Sequence, residues 1–310
     1  MSIERTALGG GQSRKFTGMA GVDADARLLA DPSVLRARFA DPSFTPAVSP
    51  LVAGELHRLA NLPRVQRTDV VALFERDQLL AGRLIGDTAG GMRPTPRTPT
   101  DVLKEPGLTE LHRRIAHLSQ RVRVRRTGPF DALFDSVANH NAAVGRIARL
   151  IALQTSIPAP YAWLCGLLHD AGITAFLSMI AERGAQLPLE PEALMSILDG
   201  RHESAIAELV ASWRLPADLG LAVSRHHNPF MDGYAHPMAI ILCIADRLAA
   251  VHGHPVRPGL GATGGMDGTS SEMVDRARRA LGLPDAVWHS VQREAPAALV
   301  GLGQDVSRTS

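Results

Sequence analysis

The chain has 310 residues, 45% of them hydrophobic and only 4% aromatic, enough to bury a large core made mostly of Leu, Ala, Ile and Val. A formal net charge of +2 is too small to argue for a nucleic-acid or membrane partner on electrostatic grounds, and nearly all the positive charge is arginine, since Lys15 and Lys104 are the only lysines. Cys165 and Cys243 each lie in an apolar run and read as core residues of a reducing cytoplasm rather than a disulfide pair.

Met1 to Arg5 starts no apolar leader, and the longest apolar run, Met238 to Val251, is interrupted by Asp246 and Arg247, so neither secretion nor membrane spanning is expected. Residues 1–45 are expected to form a mobile tail with short helices, marked by Gly9-Gly10-Gly11 and by the cap or turn signals Asp31-Pro32 and Asp41-Pro42. Residues 46–135 then form an N-terminal helical subdomain. Leu51, Leu56, Leu59 and Leu62 make one amphipathic stripe, and Val70, Val71, Leu73, Phe74, Leu79, Leu80 and Leu84 continue on either side of Arg76-Asp77. Three prolines make Gly90 to Pro99 a loop. Helix resumes over Leu108 to Val124, and Arg113, Arg114, Arg121, Arg123, Arg125 and Arg126 read as a solvated face, because no stacking aromatics are interleaved for a nucleic acid. No stretch alternates with period two long enough to make a sheet, so the class is all-α. Residues 253–310 hold a Gly/Pro-rich loop, Gly253 to Gly268, and two helices, the first opened by the capping box Thr269-Ser270-Ser271-Glu272 and the second following Pro284.

The chemistry lies in residues 136–252, organised around Leu167-Leu168-His169-Asp170-Ala171-Gly172. The His169-Asp170 pair closes an apolar helix, Tyr161 to Leu168, with Gly172 placed for a left-handed stop. Adjacent helical side chains diverge by about 100°, so the two converge only on a point off the helix end, which suits a shared metal ion. His140 falls on the apolar stripe Val137, His140, Val144, Ile147, Ile151, and His202 heads another, His202, Ile206, Leu209, Trp213. His226 and His227 end a helix begun near Ala217, and Asp246 interrupts an apolar helix with Arg247 pointing to a different face. Imidazole and carboxylate donors without a thiolate favour Fe, Mn, Zn, Ni or Co, one or two ions, without choosing among them.

The order His140, His169-Asp170, Asp246 resembles the H…HD…D signature of the HD superfamily of metal-dependent phosphohydrolases. His202, His226 and His227 resemble the added ligands of its binuclear members, including the HD-GYP cyclic-di-nucleotide phosphodiesterases. Leu73-Phe74-Glu75-Arg76-Asp77-Gln78-Leu79-Leu80 is similar to the I-x-x-D-P-x-L helix of HDOD (HD-related output) domains of bacterial signalling. Trp213-Arg214-Leu215-Pro216, Arg225-His226-His227-Asn228-Pro229 and Ala245-Asp246-Arg247-Leu248-Ala249 match further HDOD patterns, so the likeness runs from about Pro46 to Val251. It implies an HD-superfamily helical core with an HDOD-like N-terminal helical subdomain. It also implies a metal centre of His140, His169, Asp170, His202, His226, His227 and Asp246, with Asp170 bridging two ions and Asp170 and His169 carrying the catalysis.

Three departures bear on activity. Ile173 stands where HD-GYP proteins have a lysine, and Ser136 where they have a glutamate; if the lost lysine held a phosphate, Ile173→Lys should raise activity or tighten nucleotide binding. The HD-GYP stretch after the paired histidines is also broken, with Asn228 at the Glu position and Asp232-Gly233-Tyr234 and Pro237 at altered spacing, which argues against cyclic-di-GMP hydrolysis. Two functions stay open: a metal-dependent phosphohydrolase acting on a phosphodiester or nucleotide phosphate, and a signalling module that docks a partner protein through its N-terminal helices around a structural metal.

Overall fold

The computed structural model describes residues 31–41, 47–88, 107–126, 128–183, 191–198, 201–230, 233, 235–256 and 271–302. The expected tail before residue 31, Pro42, the Gly90 to Pro99 loop, Asp232, Tyr234, residues 257–268 of the Gly/Pro-rich loop, and Thr269 and Ser270 of the capping box lie outside them.

Short polar caps start the first helices. The Asp31 carboxylate accepts from the Ser33 amide at 2.8 Å and opens α1 (Pro32–Ala40), and the Ser49 hydroxyl accepts from Val52 at 3.2 Å and opens α2 (Pro50–Ala60), each with proline in the first turn. Within α2 the buried stripe is Val52, Leu56 and Leu59, at i, i+4 and i+7, while Leu51 is 60% exposed, so the expected stripe is corrected by one helical position at its start. Asp77 separates α3 (Arg67–Arg76) from α4 (Gln78–Thr88) and caps the second, accepting from the Leu80 amide at 2.9 Å. Helix α5 (Gly107–Ser119) stops short of the expected Val124: after a turn at Arg121, Arg123–Val124 (β2) pairs in parallel with Ala47–Val48 (β1). That two-residue ladder is the strand content of the described residues, and the fold is all-α.

Behind this layer, α6 (Asp131–Ala152) runs through the centre of the molecule, and its stripe Val137, His140, Val144, Ile147, Ile151 is fully buried. It packs lengthwise against α7 (Ala159–Leu168) and against α12 (Pro237–Val251), and it also touches α3 and α8 (Ala171–Arg183). Helices α9 (Pro191–Leu198), α10 (His202–Ser212) and α11 (Ala217–Val223) close the far side. Of the C-terminal pair, α13 (Ser271–Ala280) rests on α12, and α14 (Asp285–Ala298), which follows Pro284 as expected, rests on α6. Arg146 ties α14 down, donating to the carbonyls of Ala298 and Val300 while pairing with Glu75 at 2.8 Å. Although α1 belongs to the segment expected as a tail, it packs on α10, with Arg36 paired to Glu208 at 3.3 Å.

Two other expectations change. Among the described residues the stretch long and apolar enough to cross a membrane is Ala159–Glu182, rather than any part of the longest apolar run named above, and 94% of its apolar 18-residue window is buried within the protein, as a core element would be. The arginines after α5 are not all a solvated face: Arg123 pairs with Glu182 at 2.8 Å, and Arg125, 9% exposed, pairs with Asp131 at 3.2 Å and lies 3.5 Å over the Phe134 ring.

Candidate metal centre

Five segments bring the seven residues named from the sequence to one place. His140 projects from the buried stripe of α6, and His169-Asp170 form the turn between α7 and α8. His202 is the first residue of α10, and Asp246 lies in α12 on its buried side. His226 and His227 follow α11, which ends at Val223 rather than at the histidines. Gly172 is likewise not a left-handed stop: positive φ occurs at Gly233, Gly253, Gly282, Gly301 and Arg214, whereas Gly172 is helical and lies inside α8. Its role is contact, because a Cβ there would meet the His202 carbonyl oxygen at 2.6 Å.

The two oxygens of Asp170 face opposite ways. Oδ1 lies 3.6 Å from Nε2 of His202 and 3.6 Å from Nε2 of His226, while Oδ2 lies 3.4 Å from Nε2 of His169 and 3.9 Å from Nε2 of His140. Asp246 reaches His140 Nε2 with Oδ1 at 3.1 Å and His227 Nδ1 with Oδ2 at 3.8 Å. The donors fall into two triads, His202–His226–His227 and His140–His169–Asp246, each with its ligand atoms within 4.8 Å of one another; Asp170 joins a third such group with His169 and His226.

Backbone carbonyls aim the rings. Nδ1 donates to the His254 carbonyl in His140 (2.7 Å), to Gly166 in His169 (2.8 Å), to Leu198 in His202 (3.4 Å) and to Val223 in His226 (2.7 Å). A carbonyl only accepts, so in each ring Nδ1 carries a proton and Nε2 faces the centre, where a neutral ring offers its lone pair to an ion. Burial pushes the His202 imidazole down to about 4, against the pull of Asp170, and burial together with His227 lowers His226 strongly, so both stay neutral. Burial works to raise the Asp170 and Asp246 carboxyls, but the surrounding histidines outweigh it and hold both below their ordinary value.

Lone pairs and ionised carboxylates thus converge where water does not reach. Nε2 of His169 and His226, Oδ1 of Asp170 and Oδ2 of Asp246 are buried without a hydrogen-bond partner. Left so, each costs desolvation free energy of about 1–3 kcal/mol or more. Divalent cations held among these side chains would satisfy such atoms, and five imidazoles with two carboxylates are donors suited to a borderline transition ion. The residues therefore fit a metal.

The sequence did not mark the groups that aim the rings. Gly253, at φ +89°, ends α12 with His254 donating to Ala249 at 2.9 Å and Gly253 donating to Ala250 at 3.2 Å, and this turn presents the His254 carbonyl to His140. His236 was also missed: its Nδ1 accepts from the Ala239 amide at 3.3 Å to cap α12, and its Nε2 meets Asp218, which also accepts from the Tyr161 hydroxyl. A polar residue just before Pro237 is the signal that could have found it.

The HDOD domain profile matches residues 47–229, more than half of the chain. Among solved structures, the chain is similar to the MmoQ response regulator from Methylococcus capsulatus str. Bath in two crystal structures. One superimposes with a TM-score of 0.58 at 21% identity, covering 79% of this chain and 97% of that one. The other, a fragment of residues 20–298, gives 0.55 at 19% identity, covering 77% and 92%. At these identities the likeness concerns the fold. No curated protein matches the chain.

Proposed function

The chain belongs to the HDOD domain family, and from that premise we propose that it is a bacterial signalling-type protein whose two-metal centre hydrolyses a phosphodiester or nucleotide phosphate. The observation that carries this reading is the orientation of Asp170, whose oxygens face separate triads at 3.6 Å on one side and 3.4 and 3.9 Å on the other. Such a carboxylate would bridge two ions, His202, His226 and His227 holding one and His140, His169 and Asp246 the other. When bound, the ions supply Lewis acidity for attack of water on phosphorus and neutralise charge on the phosphoryl oxygens. The chain's own contribution is to orient four imidazoles through backbone carbonyls, to keep His202 and His226 neutral by burial, and to hold two ionised carboxylates among them. His169 and Asp170, the pair at the helix junction, are assigned the central catalytic positions. Cys165 and Cys243, buried and not joined in a disulfide, support a reducing, cytoplasmic setting.

A second reading is favoured by one observation, the enclosure of the centre. Six of the seven side chains are no more than 3% exposed, and Ile173, at the position where HD-GYP proteins have a lysine, is fully buried. In that reading the metal is structural and the output is the docking of a signalling partner through the N-terminal helices. The discriminating experiment measures metal content, phosphodiesterase turnover on cyclic and linear dinucleotides and nucleotide phosphates, and melting temperature in wild type and Asp170→Ala. The hydrolase reading expects turnover by the metal-loaded wild type and nearly none in the variant. Metal-loaded wild type with no turnover on any of these substrates, together with a variant that only melts earlier, selects the structural metal instead.

A further inference from the structure

We propose that His227 is the movable ligand of the centre, closing the solvent side of the His202–His226–His227 triad, so that its departure frees the ion there while the ion at His140–His169–Asp246 stays. This inference rests on the two-ion reading above.

His227 differs from the other four histidines in two ways. They are anchored by Nδ1 donating to a backbone carbonyl, but among the described residues no carbonyl orients His227: its Nε2 lies 3.1 Å from His202 Nε2 and its Nδ1 lies 3.8 Å from Asp246 Oδ2. Its side chain is 24% exposed, against 0–1% for the others. It also stands in the turn beyond α11, with its ring beside those of His226 and His202 at 4.0 and 5.1 Å. A ligand fixed by a hydrogen bond from its second nitrogen keeps its orientation when the ion leaves, whereas one lacking that bond is held mainly through the ion. His227 can therefore turn toward solvent without breaking a backbone contact.

The consequence is asymmetric. Loss of His227 leaves the outer position with His202, His226 and the shared Asp170, and leaves the inner triad intact. The centre then has one retained and one exchangeable position, and the exchangeable one is the side from which a phosphoester would enter.

The test loads the full chain with Zn(II), challenges it with excess chelator, and follows ion release in wild type, His227→Ala and His169→Ala. Wild type is expected to release its metal in two phases of about equal amplitude, separated by about tenfold or more in rate. His227→Ala should keep about one ion per chain with the slow phase unchanged, and His169→Ala should lose the slow phase. His227→Gln, which keeps a polar side chain at the solvent edge, should repeat the loss of the fast phase should the alanine variant not fold. Single-phase release in wild type, or folded His227 variants that hold both ions or neither, overturns the inference and leaves the two-ion centre standing. A wild type that takes up no metal overturns both.

Discussion

Gly172 and His202 meet backbone to backbone: a Cβ on Gly172 would stand 2.6 Å from the His202 carbonyl oxygen, 3.0 Å from Ala205 Cβ and 3.1 Å from the Ile206 amide nitrogen. A helix backbone cannot yield locally as a flexible side chain can, so Gly172→Ala must push α10 off α8 and carry His202 with it. The expected loss of stability is about 1–3 kcal/mol, with weaker metal retention. Gly54→Ala is the control, because nothing lies within 4 Å of a Cβ there and alanine favours the helix by up to about 1 kcal/mol. Urea denaturation of both variants checks this, and a Gly172→Ala protein as stable as wild type would refute the contact.

Gly253 acts on the centre from the other side. Its φ of +89° is one that alanine rarely adopts, and no steric obstacle lies near its Cβ position, so the cost of Gly253→Ala is in the backbone, about 1–2 kcal/mol. Because this turn presents the His254 carbonyl to His140 Nδ1 at 2.7 Å, the variant should also hold metal less tightly, measured by chelator competition. Gly253→Asn should be milder, and equal losses in the two variants would count against the turn geometry as the cause.

Ile173 changes meaning once its surroundings are known. It is fully buried within the apolar core, so an ammonium at that position would be desolvated, and Ile173→Lys is expected to lower the melting temperature rather than to restore a phosphate contact. Thermal unfolding and nucleotide binding of the variant decide the point: unchanged melting with tighter nucleotide binding would return the position to a substrate-holding role.

Asp77 offers a pH dependence remote from the metal centre. Burial raises its carboxyl from 3.8 to about 6, against the Leu80 amide and Arg125, which pull it down. The folded value lies above the unfolded one, so the native state binds this proton more tightly. The stability it contributes is complete below about pH 3.8 and is lost as the pH rises through about 6. Asp77→Asn keeps an oxygen to accept from Leu80 and removes the titration. The melting-temperature difference, variant minus wild type, should therefore rise between about pH 4 and pH 7, and a difference independent of pH would refute the shift.

The burial of His140, Asp246 and the His202 stripe follows from local pattern. A helix repeats every 3.6 residues, so an imidazole or carboxylate spaced three or four residues from apolar neighbours must share their buried face. The same logic misplaces Leu51, where Val52 offers a competing stripe one position on, and it overextends α5, where Arg123–Val124 gains a backbone partner 76 positions away at Ala47–Val48.

Helix positions, their inward faces and the gathering of His and Asp on those faces are properties of neighbours along the chain, and the amino-acid order was sufficient to read them. How α8 lies against α10, which oxygen of Asp170 meets which triad, and why His227 alone lacks an anchor depended on contacts between distant segments. The His254 carbonyl that aims His140 is 114 residues away from it. Every residue carries a carbonyl, so no residue type announces the one that will orient a ligand; only the packing of α6 against α12 selects it.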